Sequence, residues 1–327
     1  MKVDAVITWV DGNDPVHREK RSRYADSTAL KADDVAGDTR FVAVGEIAWC
    51  IASLNRFAPW INKIYIVTDS QNPDLEPFID REFPEGHIPM EVVDHKVIFR
   101  GYESYLPTFN ASAIETMTWR IPGLSDRYIE LNDDMILCAP VSPSDFFTDD
   151  GKSICYAEKA SIPWTLFTRM IKPKSYGRKK VTFKGVMCNA AILAGRKWSL
   201  LKINHTPRGL RRDIYESYYA TNDKDIIRNI QYRFRHHDMY APEVLQYSLL
   251  SDAGQCLRIP YHDVLFFYQP QGKQSYFMRK MSKLRRFKGR FACFNSMDQA
   301  SPEELQTIVA WIEARLEVNF KNCHGRD

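Results

Sequence analysis

The chain reads as an α/β protein with a mostly parallel sheet. Two observations predict it. β-Branched runs alternate with helical patterns over the first 140 residues, the order that gives parallel strands joined by crossover helices. Acidic steps then follow three of the runs, at Asp11, Asp69 and Asp133-Asp134. Ligands of such sheets sit at the carboxyl ends of the strands, so the three steps share one rim.

The elements follow in chain order. Val3–Val10 (VDAVITWV) is a first strand, closed by the turn signal Asp11-Gly12-Asn13. Residues 14–37 are polar and charged, a loop or a short helix. Gly45–Phe57 has apolar residues at helical spacing, with Asp38 and Thr39 as caps upstream and Ala58-Pro59-Trp60 as its end. Lys63–Asp69 is a second strand and Met90–Asp94 a third. Pro107-Thr108 opens a helix that runs to about Arg120, where Ile121-Pro122-Gly123 stops it. Arg127–Leu137 (RYIELNDDMIL) is a fourth strand. In the second half, Tyr156–Lys184 alternates aromatic and basic residues without a clear period. Val186–Leu193 reads as a strand, and Arg211–Tyr219 and Pro242–Leu250 read as helices. Ser301–Phe320 is an amphipathic helix, with Ser301 and Glu304 forming a capping box.

Composition bounds the class. The 327 residues suffice for one large domain or two smaller ones, and 44% hydrophobic with 26% charged residues is ordinary for a soluble globular protein. The start, MKVDAVITWVDG, lacks the form of a signal peptide. No apolar stretch is long enough to span a bilayer. These readings place the protein in the cytoplasm, with at most peripheral membrane contact. Seven widely spaced cysteines without a CxxC argue for reduced, mostly buried thiols rather than disulfides or structural zinc. Charge divides the chain: residues 1–150 carry 14 basic and 26 acidic side chains, and residues 151–327 carry 31 and 15. An acidic part of −12 meets a basic part of +16, which suits a cleft that takes a metal and a polyanion. Two solvated surfaces docking together would need no ligand. GxGxxG and GxxxxGK[ST] are both absent, so neither a dinucleotide fingerprint nor a P-loop explains the rim.

Asp133-Asp134 after an apolar run suits Mg²⁺ or Mn²⁺ on a nucleotide diphosphate, since one or two carboxylates hold such ions. A turn stabilised by Asx side chains accounts for the same residues. His205, before Thr206-Pro207, is a natural proton acceptor near neutral pH or a structural loop histidine. Arg233 and Arg235 offer forks for phosphate. The adjacent His236-His237 pair is poorly spaced for zinc. Glu115 alone reads as a solvated helix residue. Arg279–Arg290 holds seven basic residues and no acidic one. It is a phosphate surface, an anionic-membrane patch or a solvated face. A nucleic-acid module is not recognisable.

The joint order of these segments resembles the Stealth family of sugar-phosphate transferases. Four blocks carry the resemblance. They are DAVITWVDGNDP from Asp4; Arg40–Pro73 with Leu106–Pro140; Asn204–Leu250 with NHTP and RFRHHDMYAPEVLQYSLL; and FACFNSMDQASPEE from Phe291. The resemblance implies a Rossmann-like, GT-A-like nucleotide-sugar transferase fold. Residues 1–150 would bind the nucleotide sugar. Residues 151–327, basic and α-rich, would complete the active site and the acceptor surface of one compact catalytic unit. The family's acidic helix residue falls on Glu115, its Asn-Asp-Asp on Asn132, Asp133 and Asp134, its histidine on His205 and its arginine on Arg235. Trp9, Val10, Asp11 and Gly12 would contact the donor at the first strand end. Arg40, Asn110, Arg233, Arg290 and Asn295 would join them. The chain departs from the family at Ala48 and Ala52, where basic residues are common, and at Ser296, where aspartate is usual.

The implied reaction moves a hexose- or N-acetylhexosamine-1-phosphate from a nucleotide sugar, such as UDP-GlcNAc, to a hydroxyl of a glycan acceptor. A nucleoside monophosphate leaves. The acceptor would be a capsular or exopolysaccharide chain, lipid-linked where it grows on a carrier. Asp134, with Asp133, would hold Mg²⁺ or Mn²⁺. His205 is the first choice of general base and Glu115 the second. A glycosyltransferase releasing nucleoside diphosphate, or a non-catalytic anion- or membrane-binding protein, is the alternative.

Overall fold

A computed structural model describes residues 1–25, 45–171 and 181–321. Its central sheet has the order β3-β2-β1-β4-β8. The strands are β1 (Val3–Thr8), β2 (Ile64–Thr68), β3 (Met90–Asp94), β4 (Arg127–Asn132) and β8 (Arg208–Arg211). The first four are parallel and β8 runs antiparallel to β4. The expected α/β, mostly parallel architecture is therefore present. β1 is buried along its whole length. Ala5 and Ile7 enter one apolar core and Val6 the other, as a strand covered on both faces requires. Asp4 is buried beside Val6 and accepts hydrogen bonds from Asn62 Nδ2 at 2.8 Å and the Ser125 amide at 2.7 Å.

Two smaller sheets complete the core. β5 (Met135–Leu137), β10 (Leu265–Tyr268) and β11 (Phe291–Phe294) form one, in the order β10-β11-β5. β6 (Ser153–Ser161), β7 (Ser199–Ile203) and β9 (Cys256–Ile259) form the other, in the order β7-β6-β9. Sheets are thus shared between the acidic and basic parts: β8 extends the first sheet and β11 pairs with β5.

Several expected elements differ. Arg127–Leu137 is not one strand. It breaks after Asn132, and Met135–Leu137 joins a different sheet. Asp133-Asp134 is the step between the two sheets. The Pro107–Arg120 helix shrinks to Ala111–Glu115 and a 3₁₀ turn, Thr118–Arg120. Upstream, the Phe109 amide bonds to the Arg233 carbonyl at 2.8 Å and Asn110 Nδ2 to the Tyr232 carbonyl at 3.0 Å. These donors cross to another segment instead of closing a helical turn. Val186–Leu193 belongs to a helix, Phe183–Leu193, started by Thr182, whose side chain accepts the Gly185 amide at 3.1 Å. Asp38 and Thr39 lie outside the described residues, and the Glu46–Phe57 helix begins at Gly45 with φ 106. Asp14 caps a helix at Pro15–Tyr24. The Ser301–Glu304 capping box is present, and its helix ends at Leu316. The six described cysteines are free, five of them buried. Among the described residues no helix is long and apolar enough to cross a membrane.

One buried group predicts a pH effect on stability. His95, just after β3, is 1% exposed and neither ring nitrogen has a hydrogen-bond partner. Burial pushes its pKa down to about 4. The unfolded histidine protonates near 6.5 while the folded one stays neutral, so stability is full above pH 6.5 and falls as pH drops toward 4. Between pH 7 and pH 5 the loss is about 2 kcal/mol. Urea unfolding at both pH values should show it, and His95→Leu should remove about that much of the difference.

Candidate active site

The parallel part of the sheet reverses direction of build between β1 and β4, since the order runs 3-2-1 and then 4. That switch point opens a crevice at the carboxyl ends. Thr8 and Asn132 end the two strands in register, and Asn132 Nδ2 donates to Thr8 Oγ1 at 3.3 Å.

β8 and β11 bring distant segments here because β8 runs antiparallel to β4 and β11 antiparallel to β5. β8 sets Arg208 opposite Glu130, so its leading end reaches the rim with His205 just ahead of it. Gly209 permits the approach: a Cβ there would lie 2.7 Å from the Phe146 carbonyl oxygen. β11 sets Cys293 opposite Met135, and the Phe294 amide donates to the Asp134 carbonyl at 3.0 Å. Asn295 then delivers its Nδ2 to Asp134 Oδ2 at 3.0 Å, and the Cys293 thiol lies 3.3 Å from the same oxygen. Ser296 Oγ donates to Asn295 Oδ1 at 2.8 Å. Asp134 Oδ1 is buried without a hydrogen-bond partner.

Arg208 is the hub of the site. It is 4% exposed. Its Nη1 lies 3.4 Å from Glu115 Oε1 and 3.5 Å from Glu130 Oε2, and its Nε 3.9 Å from Glu243 Oε1. Nη2 donates to Asn132 Oδ1 at 3.1 Å. Burial would lower the Arg208 pKa, but the carboxylates of Glu243, Glu115 and Glu130 outweigh it and raise it. Burial raises Glu130 and Glu243, with the Glu115 charge adding to both. Asp133 is raised well above the ordinary carboxylate range by burial, then by Glu46 and Asp134.

His205 sits over this cluster. Its ring packs between Phe183 and Phe267, at 5.9 and 5.4 Å between centroids, and its Nδ1 is buried without a partner. Burial lowers its pKa. Asp134 and Glu115 oppose that, and Arg208 and Arg235 add to it. The four groups expected to carry chemistry, Glu115, Asp134, His205 and Arg235, therefore share one electrostatic neighbourhood. Asn132 and Asn295 stand inside it. Neutral imidazole is the form that accepts a proton.

Other expected residues have different surroundings. Arg235 is exposed, and the segment before it is held by Asn110, whose Nδ2 reaches the Tyr232 and Phe234 carbonyls. Arg233 lies over the Tyr24 ring at 4.8 Å and donates to the Leu106 carbonyl at 3.3 Å. Arg290 pairs with Asp145 at 3.0 Å, at the end of β11 away from Asp134. Trp9 is buried with its Nε1 unpartnered. Gly12 is buried, Val10 and Asp11 half-buried. The Asp11 amide and carbonyl both bond to the Gln71 side chain, at 2.9 Å each. Arg40 lies outside the described residues. Ala48 and Ala52 are fully buried in the core and offer nothing to a ligand. Sequence reasoning missed Arg208 as a site residue and Glu130, Glu243 and Cys293 altogether.

The residues here fit a divalent cation. Asp134, His205 and Cys293 present ligand atoms within 4.8 Å of one another. Burial, with the Asp134 charge, pushes the Cys293 thiol up, so it serves Asp134 as a weak donor. The orphaned Asp134 Oδ1 is the oxygen that fits a hard cation.

Carboxylates, histidine and arginine are thus gathered at the switch point of an α/β sheet. The chain belongs to the Stealth family: residues 1–29 match Stealth protein conserved region 1 and residues 40–155 match conserved region 2. It is 42% identical over 150 residues to the capsular polysaccharide phosphotransferase WcwK of Streptococcus pneumoniae, covering 46% of this chain and 42% of that one. It is 32% identical over 264 residues to the exopolysaccharide phosphotransferase SCO6021 of Streptomyces coelicolor, covering 79% and 46%. The chain thus spans under half the length of either relative. Among solved structures it is similar to mouse xyloside xylosyltransferase 1, with a TM-score of 0.43 and 10% identity over 92% of this chain and all of that one.

Proposed function

We propose that the protein transfers a hexose- or N-acetylhexosamine-1-phosphate from a nucleotide sugar to a hydroxyl of a capsular or exopolysaccharide acceptor. The observation that carries this reading is the meeting of Glu115, Asn132, Asp134 and His205 around Arg208, at the switch point of a Stealth-family sheet. The acceptor oxygen attacks the phosphorus that bears the sugar. The bond from that phosphorus to the oxygen of the leaving nucleoside monophosphate breaks. The acceptor proton passes to the His205 imidazole. Such displacement needs positioning and charge neutralisation more than covalent help. Arg235, exposed at the mouth, meets the phosphoryl oxygens. Arg208 positions Glu115 and Asn132 and does not itself touch substrate.

Mg²⁺ or Mn²⁺ would be held by Asp134, with Asp133 beside it, and would neutralise charge on the diphosphate. Residues 1–150 would bind the nucleotide through the Trp9–Gly12 loop, and residues 151–327 would present the acceptor from the cytoplasmic side.

A panel of nucleotide sugars with Mg²⁺ or Mn²⁺ tests the reading through acceptor-dependent donor consumption. A protein that binds donors but never consumes them would be a binding module instead. His205→Gln should lower kcat/KM by about 10²–10⁴-fold. Because burial lowers the His205 pKa, wild-type activity should be full at neutral pH and fall only below about 6.5. That acidic limb should vanish in the residual activity of His205→Gln. A wild-type limb centred above 6.5 would remove His205 as the base.

A further inference from the structure

The helix Ile162–Ile171 is inside out. It buries Ile162 and Thr165 and holds Arg169 inward, while Trp164, Phe167 and Met170 are 60%, 48% and 82% exposed. Leu166 and Ile171 are exposed as well. Trp164 and Phe167 lie side by side as a tilted pair, with ring centroids 5.5 Å apart and the planes 31° from parallel. Trp198, 77% exposed, adjoins them, because its carbonyl accepts the Ile162 amide at 3.0 Å. An ordinary surface helix turns its apolar stripe to the core. Here only Ile162 of the apolar side chains is buried, and Arg169 makes internal contacts instead: its Nη1 donates to Asn189 Oδ1 at 3.0 Å and its Nη2 to the His237 carbonyl at 3.4 Å. Six large apolar side chains left in water on one face mark a contact surface.

We infer that this face docks on an anionic lipid bilayer and holds the active site at the membrane surface. Tryptophan favours the membrane–water interface, and shallow apolar insertion flanked by basic charge is the form of an interfacial helix. Lys159 and Lys197 are exposed beside the patch, on β6 and next to Trp198. That charge complements anionic headgroups. It opposes a second copy of the chain, since a two-fold contact would set each basic rim against its twin.

The face is also joined to the site. Asn189, which receives Arg169, donates to the His237 and Met239 carbonyls at 2.9 and 2.6 Å, close after Arg235. Phe183, at the start of the helix packed against Ile162–Ile171, touches the His205 ring. A bilayer on the outer face therefore lies alongside the mouth of the site. Resting on the transfer reading above, the acceptor is then a glycan carried on a lipid anchor; the docking itself does not depend on that reading.

The test is co-sedimentation of the full chain with vesicles of phosphatidylcholine, with and without phosphatidylglycerol. Wild type should bind the anionic vesicles. Trp164→Ser with Phe167→Ser and Met170→Ser should weaken partitioning by about tenfold or more. Lys159→Glu with Lys197→Glu should lose the preference for phosphatidylglycerol. Unchanged circular dichroism would show that the variants fold, and Met170→Ser alone supplies a milder test with a smaller loss. Wild type that stays in the supernatant, or apolar variants that bind as wild type does, would overturn the inference. So would a wild-type dimer that Trp164→Ser dissolves, because a second copy would then cover the face. Transfer to a water-soluble acceptor should be equal in wild type and the apolar variants. Vesicle binding without any transfer would sink the catalytic reading and leave the docking standing.

Discussion

Asp134→Ala is expected to lower transfer by about 10³-fold or more while the protein stays folded. The magnitude is that of removing a group that neutralises charge developing in the transition state. Asp134 Oδ2 is fixed by Asn295 and Cys293, and Oδ1 is buried with no hydrogen-bond partner. Alanine therefore leaves Asn295 and the thiol without an acceptor but breaks no large apolar contact. The variant should also stop responding to added Mg²⁺ or Mn²⁺, read as donor consumption against metal concentration. Near-wild-type activity in Asp134→Ala would remove the residue from the phosphate and metal role.

Arg208→Met is expected to unfold the protein more readily than any substitution at the rim, by about 3–5 kcal/mol, because it strands buried carboxylates without their cation. Glu115, Glu130 and Glu243 all face that guanidinium. The sign of the pH effect distinguishes this cause from lost packing. Without Arg208 the Glu130 and Glu243 carboxyls, already raised by burial, rise further above their unfolded values, so the folded state binds more protons than the unfolded state. Stability then falls as pH rises through that window and recovers as pH drops toward about 4.5. Denaturant unfolding of Arg208→Met should show a larger deficit at pH 7 than at pH 5. Adding Glu130→Gln and Glu243→Gln should restore part of the loss at pH 7. A deficit independent of pH would mean that Arg208 matters only for packing.

The parallel sheet was legible because its strands are short β-branched runs ended by Asp, Gly and Asn, a local signal. That Glu115, Asp134, His205 and Arg235 share one neighbourhood was foreseeable through the family pattern, not through spacing alone. The Arg208 hub was not, because it depends on β8 lying antiparallel against β4, a pairing between residues about 80 positions apart. Glu130 looked like any strand residue for the same reason. The break at Asp133-Asp134 was hidden because Met135–Leu137 continues the apolar run into a second sheet. Val186–Leu193 was misread since a short apolar run suits a buried strand and a buried helix equally. The inverted Ile162–Ile171 helix shows the limit of periodicity, which can reveal a stripe but not which stripe faces the protein.

The measurement that tests sugar-phosphate transfer most directly is the identity of the nucleotide released in a single turnover with donor, acceptor and Mg²⁺. Attack at the phosphorus next to the sugar predicts nucleoside monophosphate in one-to-one ratio with a new phosphodiester in the product. Nucleoside diphosphate, with a product free of phosphorus, would mean attack at the anomeric carbon and would contradict it.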